Sequence, residues 1–165
     1  MPDFESRLKK AIERGERRGD KRAQETRAKE LSEAECRRLH TQYRLELSER
    51  IEQCVKRLPG HFPGFQFETI YGERGWGAAC RRDDFGPRQG GNRTSYYSRL
   101  EMTIRPYSSL HVLDLTAKGT VRNKEVFSRN HFEKIDDADP DNFKNLIDLW
   151  VLEYAEMFAA ASQVK

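Results

Sequence analysis

The chain has 165 residues, 36% of them hydrophobic and 35% charged, which suffices for one modest core if part of the chain stays outside it. Its formal charge of +3 is nearly balanced, which argues against a strongly basic nucleic-acid binder and against an acidic mimic. Cys36, Cys54 and Cys80 form an odd set with no C-x-x-C spacing, so neither a disulfide framework nor a zinc knuckle is expected, and they read as small buried hydrophobes.

Phe4, Leu8, Ala11 and Ile12 open the chain with a short amphipathic helical pattern. From Gly15 to Glu35 the few apolar residues scatter around the helical wheel, although Ala, Glu, Arg, Lys and Gln are good helix formers. Residues 1–34 are therefore expected to be a charged arm, helical or partly disordered, with 35–165 as a single domain. Counted from Cys36 at 100° per residue, Leu39, Tyr43, Leu47, Ile51, Cys54 and Leu58 fall on one arc, which predicts a helix with one face in the core. Pro59-Gly60 is expected to end it.

From Phe65 the period changes to two. Phe65, Phe67 and Tyr71 alternate, "GERG" turns the chain, and Trp76, Ala78 and Cys80 alternate again. The stretch 81–93, "RRDDFGPRQGGNR", then reads as a long loop between the second and third strands. Its Asp84-Phe85-Gly86 triplet lacks the glycine-rich loop, strand lysine and catalytic loop of a kinase, and Gly90-Gly91 lacks the lysine and following helix of a phosphate-binding loop. What it offers is an anion site, with Gly90 and Gly91 converging backbone N–H groups and Arg81, Arg82, Arg88 and Arg93 supplying charge.

Leu100, Met102 and Ile104 share one side of the next strand, and Leu113, Leu115 and Ala117 follow in phase. A corner at Asn123-Lys124 leads to the fifth. With a two-residue turn there, His131 is expected opposite Thr116 and His111 opposite Asp136, a histidine beside a carboxylate. Asp136, Asp137, Asp139 and Asp141 lack the glycine and terminal glutamate of a calcium loop. Asp139 is instead the expected N-cap of a last helix with Pro140 at its first position. Phe143, Leu146, Ile147, Trp150, Tyr154, Met157, Phe158 and Ala161 form its apolar stripe. Leu149, Leu152 and Val151 widen that surface beyond what one core requires, which marks them as partner-interface candidates.

The expected fold is α+β: a five-stranded antiparallel meander packed on one face by a long N-terminal helix and a C-terminal helix, in two layers, with the charged arm outside. No run reaches about 18 apolar residues, so a soluble, cytoplasmic protein without a membrane span is expected. No catalytic constellation, metal ligand set or cofactor motif is visible. The leading functional reading is a non-enzymatic protein-binding or adaptor module, including self-association as a homodimer. The alternative is an anion- or RNA-binding module using loop 81–93 and the arm, although the arm has no aromatic residue between Phe4 and Tyr43 to stack a base. A hydrolase built on His111, His131 and nearby aspartates stands third, since no nucleophile accompanies them.

Overall fold

The computed structural model describes residues 3–86 and 95–162, without the side chains of 28–32. Along the chain run α1 (Phe4–Val55), α2 (Leu58–His61), β1 (Gln66–Ile70), β2 (Trp76–Phe85), β3 (Ser95–Ile104), β4 (Val112–Val121), β5 (Lys124–Lys134), a 3-10 turn at Ile135–Asp137, and α3 (Pro140–Ser162). Two compact units divide it, Met1–Arg38 and Leu39–Lys165.

Within the first unit, α1 begins at Asp3, whose Oδ1 accepts from the Ser6 N–H at 2.9 Å, an N-cap. The helix is uninterrupted at Gly15 and Gly19, because two glycines cost a helix stability without breaking its ladder. Its described side chains are largely exposed, with Phe4, Leu8 and Ile12 the large apolar ones.

In the second unit, α1 stops at Val55, earlier than Pro59-Gly60 implies. The proline opens α2 at a first-turn position, where it has no intrahelical N–H to lose, so it restarts the helix rather than ending it. The five strands pair in sequence order, all antiparallel. Leu100, Met102, Ile104, Leu113 and Leu115 are fully buried on one face, beneath Leu47 and Ile51 of α1 and Phe143, Ile147 and Tyr154 of α3. At Gly119 a Cβ would lie 3.1 Å from the rings of Phe127 and Tyr154. Its absence lets Tyr154 approach β4 and donate its hydroxyl to the Thr120 carbonyl at 2.8 Å.

Two strand expectations are corrected. First, β2 continues through "RRDDF" to Phe85, pairing with β3 as far as Phe85↔Ser95, so Arg81 and Arg82 are strand residues and not part of a loop. A strand end beyond the core needs no apolar alternation, which is why charged residues hid it. Second, β4 and β5 turn at Arg122-Asn123, with φ of 48° and 71°, two positive values as a type I′ hairpin requires. The register also shifts between Gly119 and Thr120. His131 consequently faces Leu115 rather than Thr116. His111 precedes β4 with φ 55°, and its carbonyl accepts from the Ile135 N–H at 3.0 Å, so it does not pair with Asp136.

Candidate functional site

Residues 39–55 of α1 and α3 lie side by side over the sheet, tied by charge. Arg50 donates to Asp148 through two nitrogens, at 2.9 and 2.5 Å, and Lys144 bonds Glu46 at 2.5 Å. Cys54 Sγ sits 3.2 Å from Asp148 Oδ1. Burial, then this carboxylate, pushes the Cys54 thiol up to about 11, so it is a structural group rather than a nucleophile. The Arg50 guanidinium holds the Asp148 carboxyl below its ordinary range.

Beyond these ties the helices part. Arg50, Gln53, Cys54, Arg57, Leu58, His61 and Phe62 on one side, and Asp148, Val151, Leu152 and Ala155 on the other, line a cavity of about 620 Å³. Its floor is apolar, with Leu58 and Val151 buried. One rim carries Arg57 and His61, both exposed. The other carries Leu152, 66% exposed, with Leu149, 49% exposed, on the same helix. Of the three interface candidates on α3, Leu149 and Leu152 thus face solvent. Val151 is 7% exposed and belongs to the floor, a correction to the expectation that it widens the outer surface. It lies a quarter turn from Leu152, and the Arg50–Asp148 ties bring α1 over it.

Of the loop candidates, the two that are described, Arg81 and Arg82, are not brought together. Arg81 and Arg82, adjacent on β2, point to opposite faces. Arg81 pairs across from Arg99 on the face away from the helices. Arg82 turns inward, bonds Asp84 at 2.9 Å and lies 5.5 Å over the Phe158 ring. Arg88, Gly90, Gly91 and Arg93 lie outside the described residues.

On the open face, Thr103 and Thr116 form a hydrogen-bonded hydroxyl pair at 2.9 Å. They lie in a trough of about 360 Å³ lined also by Arg74, Glu101, Arg105, Lys118, Ser128 and Asn130. Arg74 bonds Glu101 at 3.0 Å. Asp114 Oδ1 is buried without a hydrogen-bond partner, and burial holds its carboxyl above the ordinary range despite the Asn130 hydrogen bond and the Arg105 charge.

The histidines find other companions than those expected. Tyr107 Oη lies 2.7 Å from His111 Nδ1, and His131 Nε2 lies 2.7 Å from Glu133 Oε2. Glu133 also accepts from Asn142 at 2.9 Å and from the Asp139 N–H at 3.0 Å. Burial alone would raise its carboxyl, but these bonds hold it below its usual range. The cluster fastens β5 to the start of α3 and presents no nucleophile. Among the described residues no three His, Cys, Asp or Glu gather as a metal site, and no helix is long and apolar enough to cross a membrane. Sequence reasoning missed the cavity rim, although Arg57 and His61 flanking Leu58-Pro59 were a visible signal.

Comparison with family models, with curated proteins and with solved structures finds no match for this chain.

Proposed function

We propose that residues 39–165 form a non-enzymatic protein-binding module that takes a partner segment into the groove between α1 and α3. The observation that carries this reading is the groove itself: an apolar floor of Leu58 and Val151, bounded by the exposed Leu152 and the cationic rim of Arg57 and His61. An amphipathic helix laid in such a groove buries its apolar face while its flanks meet the rims. A photo-crosslinking p-benzoylphenylalanine in place of Gln53 tests it in cell extract. The expected outcome is a discrete protein adduct, whose purified partner loses at least about tenfold in affinity on Leu152→Glu or Arg57→Glu. Adducts no different from those made from exposed Thr69, or affinities unmoved by both substitutions, would reject the groove.

A second reading, binding of anions or RNA, is favoured by the open-face trough, where Arg105 and Lys118 flank the two threonine hydroxyls. Titration with single-stranded RNA at two salt concentrations should then show binding that weakens with salt, and with a shallower salt slope in Arg88→Ala with Arg93→Ala or in Lys118→Ala. Absence of binding by the unmutated chain rejects it.

A further inference from the structure

We propose that the occupant of the groove is the N-terminal arm of a second copy of this chain, so that two copies exchange arms and each seals the other's groove. The inference rests on the reading of the groove as a protein-docking site and names its partner. Phe4, Leu8 and Ile12 recur every four residues on α1, exposed by 73%, 41% and 52%. No described residue of the first unit covers them. Such an i, i+4, i+8 stripe is the pattern by which a helix seats itself in an apolar groove, and at 1.5 Å per residue it is about 12 Å long. Arg50 to Leu58 covers about the same length along one wall.

The charges match as well. Around Leu8 at 100° per residue, Glu5 and Glu16 border one side of the stripe, while Arg7 and Arg14 border the other, with Lys9 behind the first pair and Asp3 behind the second. The groove is likewise two-sided. Its α1–α2 wall carries Arg57 and His61. Its α3 wall carries Asp148, already bonded to Arg50, and Glu156 stands exposed outside the lining, one turn beyond Leu152 on the same helix. Laid antiparallel to α3, the arm sets Glu5 against Arg57 and His61, and sets Arg7 and Arg14, about 10 Å apart, against Glu156 and Asp148, about 12 Å apart along their helix; reversed, like charges meet. Complementarity of this kind fixes orientation more than it adds affinity. Two such contacts about a two-fold axis close on themselves and leave no groove open for a third copy.

The test uses the purified full-length chain at tens of micromolar, as a mixture of nitrogen-15-labelled and unlabelled protein, with the crosslinker at position 53. The expected adduct joins Gln53's replacement to residues 4–16 of the other copy, seen as mixed-isotope peptide pairs. Light scattering should give twice the 19.3 kDa chain mass for the unmutated protein and a single-chain mass for both Leu8→Glu and Leu152→Glu. Leu8 is exposed within its own chain, so the circular dichroism of Leu8→Glu should be unchanged and its melting should match that of the unmutated protein diluted to a single-chain mass, separating lost association from lost folding. A single-chain mass for the unmutated protein, a Leu8→Glu variant that stays dimeric, or adducts confined to one copy would each overturn the exchange. None of these results touches the broader reading, which fails if Gln53's replacement captures no specific partner in extract or if that partner's affinity is unmoved by Leu152→Glu and Arg57→Glu.

Discussion

Asn123 holds φ at 71° in the turn between β4 and β5 while its side chain does the work of a missing strand. Its Oδ1 accepts from the Tyr97 N–H at 2.7 Å, its Nδ2 donates to the Ser95 carbonyl at 2.8 Å, and its own N–H donates to the Tyr97 carbonyl at 2.7 Å. The end of β3, where pairing to β4 has stopped at Arg99↔Thr120, is thereby satisfied. Asn123→Ala should cost about 2 kcal/mol in urea unfolding, from the left-handed backbone and the lost bonds together. Asn123→Gly should recover part of that loss, because it relieves the backbone alone. Equal costs for the two would mean that the backbone conformation contributes nothing.

His40 is the second residue whose environment makes a measurable demand. It is buried, its Nε2 lies 3.1 Å from the Arg105 carbonyl, and its ring meets Tyr107 edge to face at 5.6 Å. Burial, reinforced by the Arg44 charge and opposed by the Arg105 carbonyl, holds its pKa below the ordinary 6.5. The unfolded chain therefore binds the proton more readily than the folded one. The stability linked to His40 is complete above about pH 6.5 and is lost as pH falls toward the lower folded value. Unfolding free energy should drop as pH falls below about 6.5, with a smaller drop in His40→Gln. Asp148 and Glu133 are depressed from 3.8 and 4.5, so their contributions disappear at lower pH, in a separate window.

At the scale of elements, α3 was the most legible. Asp139 Oδ1 accepts from the Asp141 N–H at 3.0 Å, Pro140 opens the helix, and Trp150 lies in the core at the middle of the stripe. Trp150→Ala should cost about 3–5 kcal/mol by thermal or urea unfolding, and an unchanged melting temperature would place the stripe elsewhere. The apolar alternation of β3 and β4 was equally readable, because one of their faces meets helices. The end of β2 was not, since Arg81–Phe85 run past the core, where burial no longer selects residue type. Nor was the β4–β5 register, which depends on Arg122 adopting a positive φ that its side chain does nothing to announce. The groove was half legible: exposed Leu152 followed from the wheel, but its floor and basic rim depend on how two helices distant in sequence diverge.

For the whole molecule, the unit Leu39–Lys165 holds the sheet, its helices and almost all of the core. A chain comprising residues 35–165 should therefore unfold in one cooperative transition and, if arms are exchanged, run at the mass of a single chain. A molten or insoluble product would show that the arm is part of the folding unit.

The order of elements along the chain has a last consequence, felt during synthesis. All five strands are translated before the first residue of α3, so the face built from Leu100, Met102, Leu113, Leu115 and Phe127 is complete while its second cover does not yet exist. A nascent chain whose strands have emerged while α3 is still inside the ribosomal tunnel presents that face with only α1 to shield it, the kind of exposed apolar surface that chaperones hold and that aggregates when they are scarce. Lengthening the interval between the emergence of β5 and the release of α3 from the ribosome should therefore lower the soluble yield, read as the soluble fraction of chains made with slow codons over 140–162.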